Sequence, residues 1–483
     1  MDPAFLSAHR LAALIRTRKL GSLELLDHYL ERVGRFNPIL NAICVLDTER
    51  ARKRAKAADR SLAKGERRGP LHGVPMTVKE SFDLAGLPTT WGRKDLANNV
   101  VQSNAIAVDR LLGAGAVIFG KTNVPALLAD WQTFNPIYGT TNNPWDVSRG
   151  PGGSSGGSAS ALAAGLTGLE IGSDIGASIR NPAHYCGVFG HKPTFGLCAA
   201  DGQVLPPFLT HDDIAVIGPL ARSARDLELA LGVLAGPSAS DGVAWRVKLP
   251  RPGAKTWKQW RVAVMTTAAT AEVDEAVQSR VAAVASFLDS RGAKVSRVAR
   301  PDIDLAAAHE VFIRLLRAAT SRAQTDAAFT RNLETARALR PKQNDYEAWM
   351  ARANTMYHRD WLALNEKRHH MRLAWAEFFR EWDVLLCPAA ATTAFAHNQK
   401  GERWERMMTV NGKPQPSTTQ MFWAGYSGMA YLPSTVATAG RASDGLPVGV
   451  QIIGPQYGDL TCIALARLLE REFEGFVAPP GYD

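Results

Sequence analysis

Two serines stand in surroundings that could turn either into a nucleophile. Ser154 lies in Gly152-Gly153-Ser154-Ser155-Gly156-Gly157, and Ser178 closes Gly172-Ser173-Asp174-Ile175-Gly176-Ala177-Ser178. Glycine density of this kind lets backbone approach a ligand or a second loop closely. Small turns can also aim several N–H groups the same way, which is how an anion or oxyanion pocket is made. Two hydroxyls and such a cradle lack only a base, and the nearest candidate upstream is Lys79. A free lysine has a pKa of about 10.4, so its neutral form lies about 4.6 kcal/mol uphill at pH 7. Burial can lower a lysine by up to about 3–5 units, which cancels most of that deficit. Val74 to Val78 are mainly apolar and β-branched, so Lys79 is expected at the end of a buried strand. A lone lysine there would otherwise snorkel to water.

The elements around these residues decide whether they can meet. A Gly/Ser run can be a plain linker, but Ser158–Leu166 is strongly helix-forming and Leu169–Ile171 reads as a short buried strand. A glycine loop feeding a helix fits a ligand site, and no Gly-Lys-Ser/Thr follows to make it a nucleotide loop. Further upstream, Ser22 is expected to cap a helix with Leu23, Leu26, Leu30 and Val33 on one stripe, ended by Gly34 and Asn37-Pro38. A basic helix to about Ala63 follows, and residues 1–68 read as a helical arm. Arg110–Ala116 then Val117–Gly120 has the rhythm of a helix entering a parallel strand. Among the aromatics Trp131, Phe134 and Tyr138, core packing is favoured over a pocket wall. Residues 300–382 are mainly helical and expected to cover a sheet and shape a pocket.

Composition narrows the class. The chain has 483 residues, 46% hydrophobic and 21% charged, ordinary for a globular enzyme with a large core. No apolar run approaches the length of a membrane span, and the N-terminus lacks a signal-peptide pattern, so a cytoplasmic location is expected. Five scattered cysteines make neither a disulfide framework nor a zinc site, and no H-E-x-x-H occurs. No metal and no cofactor are expected. The net charge of +10 owes much to nine basic residues in Arg50–Arg68, without interleaved aromatics. That is a solvated helix face, not a nucleic-acid surface.

GGSSGGS from Gly152, GSDIGASIR from Gly172 and CGVFGHKPT from Cys186 together resemble the signature of the amidase signature family. The likeness extends to Leu71–Lys79 and Gly445–Pro455, nearly the whole chain. It implies one α/β domain over residues 1–483, with a mixed, largely parallel twisted sheet covered by helices on both faces and a catalytic core at 71–200. It implies an amidase acting through an acyl-enzyme: Ser178 as nucleophile, Ser154 as bridging serine, Lys79 as base. The N–H groups of Ile175, Gly176, Ala177 and Ser178 would form the oxyanion hole, and Leu128 and Ala129 the pocket wall. The expected partner is a small-molecule amide or carbamate, with esters also within reach and a homodimer admitted. The family more often has glycine where Ala177 stands; a positive φ there would strain the alanine by about 1 kcal/mol, and its methyl could narrow the pocket.

Two other readings compete. Gly152–Gly156 formally satisfies the G-x-S-x-G of an α/β-hydrolase-type esterase, which needs a strand directly before the serine. A component of a tRNA-dependent amidotransferase shares the signature but works with partner chains; Leu127–Trp131 favours a stand-alone amidase.

Overall fold

The buried apolar runs of the chain assemble into two sheets, and the computed structural model describes them within residues 2–253 and 255–482. The smaller sheet has Val117–Thr122 in the middle, parallel to Pro75–Lys79 and antiparallel to Ile43–Leu46. Every residue of Pro75–Lys79 and Val117–Thr122 is buried, including the polar Thr77, Lys79, Lys121 and Thr122, as expected of strands covered on both faces. The helix Ile106–Gly113 makes the crossover between them, so the expected strand–helix–strand unit is present.

The larger sheet has eight strands in the order Lys294–Ser296, Arg261–Val264, Val384–Pro388, Pro447–Ile453, Ser434–Arg441, Phe189–Lys192, Val216–Ala221, Glu170–Asp174. Helices pack around it, giving the expected α/β fold with a mixed sheet. The expectation of a largely parallel sheet is corrected: only the first three strands run parallel, and the remaining pairings are antiparallel. The reason lies in connection length. Glu275–Ser290 is a helical crossover and sets Lys294–Ser296 parallel to Arg261–Val264, whereas Ser434–Arg441 and Pro447–Ile453 are joined by a short turn, which can only reverse the chain.

The N-terminal helices Ala8–Arg16, Ser22–Leu40 and Thr48–Ala63 are interrupted by the strand Ile43–Leu46. Ser22 is inside its helix, not its cap: its hydroxyl donates to the Gly73 carbonyl at 2.7 Å. The free N–H groups of Ser22 and Leu23 instead reach the Asp59 carboxylate, at 2.7 and 3.0 Å. The helix also runs past Gly34, with Pro38 inside it, to a left-handed Asn41 at φ 49°. Proline near a helix end removes only one ladder bond, and the Asn37 side chain accepts the N–H groups of Ala42 and Ile43, both at 2.9 Å.

Residues 305–381 carry four helices, Leu305–Thr320, Asp326–Ala338, Tyr346–Asn354 and His358–Glu381. Leu305–Thr320 lies against the buried helix Met421–Gly428 so closely that a Cβ on Gly425 would sit 2.4 Å from the Phe312 ring. Among the described residues no helix is long and apolar enough to cross a membrane, and the five cysteines are free.

A cap supplied by a neighbouring helix should be measurable by itself. Asp59→Ala is expected to lower stability by about 1 kcal/mol, read by urea denaturation, with turnover unchanged.

Candidate active site

The two sheets meet where Pro75–Lys79 comes alongside Glu170–Asp174. The Thr77 N–H donates to Thr167 Oγ1 at 2.9 Å, and the Thr77 hydroxyl bonds Glu170. On the same face of that strand, Lys79 is its last residue and fully buried. Its Nζ donates to Ser154 Oγ at 2.7 Å and to Ser173 Oγ at 3.0 Å. Gln203 fixes Ser173 in turn, donating from Nε2 to Ser173 Oγ and to Ser81 Oγ, both at 3.2 Å. Burial pulls the Lys79 amine down to about 7, against the pull of Asp174, Glu170 and Glu80 in the other direction. Burial also pushes Glu170 up to about 8, despite hydrogen bonds from Thr77 and Ser158.

Ser154 follows a cis Gly153–Ser154 peptide. No strand runs into it; residues 144–155 carry only turns and isolated bridges. The strand-to-helix elbow required by the esterase reading is therefore missing. The Ser155 N–H donates to the Ser178 carbonyl at 3.0 Å, tying the glycine loop to the second turn.

That second turn is organised by Asp174. Its carboxylate accepts the N–H groups of Ala177 at 2.9 Å and Ile179 at 3.1 Å, and two nitrogens of the Arg180 guanidinium fork, at 2.8 and 3.0 Å. Burial alone would raise this carboxyl, but Arg180 and the backbone donors hold it below its ordinary value. Arg180 donates onward to the Gln451 side chain at 2.6 Å and the Ala424 carbonyl at 3.0 Å.

Of the four expected oxyanion donors, Ala177 is the one the structure turns elsewhere, because its N–H is taken by Asp174. The carbonyl of the same peptide, that of Gly176, accepts from Trp131 Nε1 at 2.7 Å, so the plane is held at both ends. Ala177 has φ 71°, a left-handed conformation that strains an L-residue by about 1–2 kcal/mol. Its methyl is buried in the core and not on the cavity, so it does not narrow the pocket. Ile175, Gly176 and Ser178 do line the cavity.

That cavity has a volume of about 730 Å³, within the range of small-molecule sites. Ser154, Ser173 and Ser178 open onto it together with Leu128 and Ala129. Trp131, read as core, is on its wall, and so are Met421, Arg317 and Arg403, which the sequence did not single out. Their only signal was membership of the helical cover and of the segment after it. Among the described residues no cluster of His, Cys, Asp or Glu could hold a metal ion.

The sequence profile of the Amidase family matches residues 24–463. The chain is 33% identical to an indoleacetamide hydrolase of Bradyrhizobium diazoefficiens, covering 96% of this chain and 86% of that one. It is 32% identical to a glutamyl-tRNA(Gln) amidotransferase subunit from Anaeromyxobacter dehalogenans, covering 96% of each. In fold it matches the crystal structure of a bacterial aryl acylamidase of the amidase signature enzymes, with a TM-score of 0.83 and 25% identity over 99% of both chains.

Two stability measurements follow from this geometry. Ala177→Gly is expected to be within about 0.5 kcal/mol of neutral, because the relieved strain is offset by the extra chain entropy of glycine and the lost burial of the methyl. For Lys79, the unfolded chain binds the proton more tightly between pH 7 and 10.5, so the contribution of this lysine to stability should rise with pH across that window. Relative to Lys79→Met, which cannot titrate, the wild type should gain about 4 kcal/mol from pH 7 to 10.5, read by denaturant titration of both proteins at each pH.

Proposed function

The chain belongs to the amidase family and is an enzyme acting on amide C–N bonds; we propose that it works as a stand-alone hydrolase through an acyl-enzyme on Ser178. The observation that carries this reading is the buried 2.7 Å contact between Lys79 Nζ and Ser154 Oγ, beside a cavity that also receives Ser178.

With Lys79 neutral, the same contact can run the other way, Ser154 donating its proton to the amine. Ser154 then draws the proton of Ser178 as the Ser178 oxygen bonds the amide carbon. Charge grows on the carbonyl oxygen, where the N–H groups of Ile175, Gly176 and Ser178 receive it. Loss of one such donor typically costs about 2.7–4 kcal/mol of transition-state stabilisation. The proton on Lys79 returns through Ser154 to the leaving nitrogen as the C–N bond breaks, and the amine departs. Water repeats the sequence against the ester, its proton taking the same route, and frees the acid. A primary amine needs no acid partner to select a tautomer, which is the task of the aspartate in a histidine triad. Orientation comes from Ser173 and Gln203.

Aryl and acyl amides are the substrates this reading favours, supported by the likeness to an aryl acylamidase and an indoleacetamide hydrolase. Carbamates and esters offer the same carbonyl to Ser178. The 32% identity to an amidotransferase component favours a second reading, in which ammonia is released for a partner chain.

Purified chain without partners is expected to hydrolyse a simple anilide; activity that appears only with added partner chains would support the second reading. Ser178→Ala should abolish turnover. The kcat/KM of the wild type should rise with pH through about 7 as Lys79 loses its proton, falling about tenfold per unit well below it. A rate flat from pH 5 to 8 would rule out Lys79 as the base.

A further inference from the structure

The wall of the cavity carries more guanidinium groups than carboxylates can neutralise. Arg406 pairs with Asp130 at 2.6 Å and Arg322 with Asp212 at 2.9 Å, while Arg331 and Glu402 are exposed. Arg317 and Arg403 remain, and among the described residues neither has a carboxylate in ion-pair reach. Arg317 is only 8% exposed; one of its nitrogens meets the Tyr346 hydroxyl, and its Nε–H has no acceptor. Arg403, half-buried, donates to the Ala129 carbonyl, and its Nε–H also has no acceptor. Burial, and then the charge of Arg317, lowers the Arg403 guanidinium to about 10, against the weaker pull of Tyr346, Asp130 and Glu402, none of them in ion-pair reach.

A buried cation without a counter-ion is expensive, and two on one wall repel each other. A ligand that brings its own negative charge removes both costs. We propose that the substrate is an amide bearing a carboxylate, which Arg317 and Arg403 bind together in the cavity of Ser178. This rests on reading that cavity as the amide site. A planar carboxylate suits the guanidinium fork, which can donate two parallel N–H bonds to it. A dianion suits it less, because the carboxylates of Asp130, Asp212 and Glu402 share the wall. Tyr346 and the Ala129 carbonyl hold the two arginines in place, so Leu128-Ala129 on one side and the helix Leu305–Thr320 on the other would close on the same group.

Calorimetry on Ser178→Ala protein with two matched pairs tests this and separates the two sides of the scissile bond. N-succinyl-4-nitroanilide against N-butyryl-4-nitroanilide places the charge on the acyl group; 4-acetamidobenzoate against acetanilide places it on the amine. In one pair the carboxylate should bind at least about tenfold tighter. That preference should fall toward unity in Arg317→Gln and in Arg403→Gln, the second keeping the test open if the first does not fold. A preference below tenfold in both pairs, or one that survives substitution of both arginines, overturns the proposal. Wild-type turnover of the four compounds is scored separately, so a protein that binds the anion without hydrolysis refutes the proposed reaction and not the anion site.

Discussion

Everything at this site depends on keeping one amine out of water. The Lys79 amine is brought down to about 7 only because burial outweighs the carboxylates around it, and that burial needs walls on all sides. The chain provides them by setting the end of one sheet against the edge of another. Neither sheet alone would enclose the lysine: Pro75–Lys79 is an edge strand of the small sheet, and Glu170–Asp174 is an edge strand of the large one. The gap between two edges is bridged by side chains, Thr77 to Thr167 and Glu170, then Lys79 to Ser173. The polar atoms of the amine are thereby satisfied by hydroxyls, which favour no protonation state as strongly as a carboxylate would.

The charged pair beside that amine is Asp174 and Arg180. Their buried pair is worth keeping only when nearly every lone pair and proton is used, and here Asp174 also takes two backbone N–H groups of the turn it begins. The arrangement spends the donor of Ala177 and forces a positive φ there. In exchange the turn is fixed, and the residues on either side of Ala177 remain on the cavity wall. The strain at Ala177 and the orientation of Gly176 and Ser178 are one feature seen from two ends.

How much of this could be read from residues alone depended on whether chemistry was local in the chain. The glycine turns, the strand before Lys79 and the helix after the first glycine loop are local signals; the helix, expected at Ser158–Leu166, starts two residues earlier and spans Gly156–Ala163. The antiparallel middle of the large sheet was not legible, because Phe189–Lys192 and Val216–Ala221 are short and separated by a long loop, and Ser434–Arg441 is rich in threonine and alanine without alternation. Pro38 misled as a helix stop, since its effect depends on how near the helix end lies. Arg317 looks like any arginine on an amphipathic helix. Only the packing of Leu305–Thr320 shows that it faces a cavity instead of solvent.

The same packing explains why the cavity wall and the reacting turn must be considered together. Met421–Gly428 lies between them: Gly425 lets Phe312 of the Arg317 helix approach, and Met421 sits where a side chain on Gly176 would be, 2.8 Å from its Cβ. Arg180, the partner of Asp174, donates to Ala424 and Ser427 of that same helix. A ligand drawing on Arg317 therefore pulls on Leu305–Thr320, which is packed closely against Met421–Gly428, and that helix in turn meets the turn carrying Gly176 and Ser178. Interiors at crystal-like density transmit such shifts instead of absorbing them. Binding energy gained at the far wall can thus be felt at the turn carrying Gly176 and Ser178, a physical route by which a non-reacting part of a substrate would contribute to the proposed reaction.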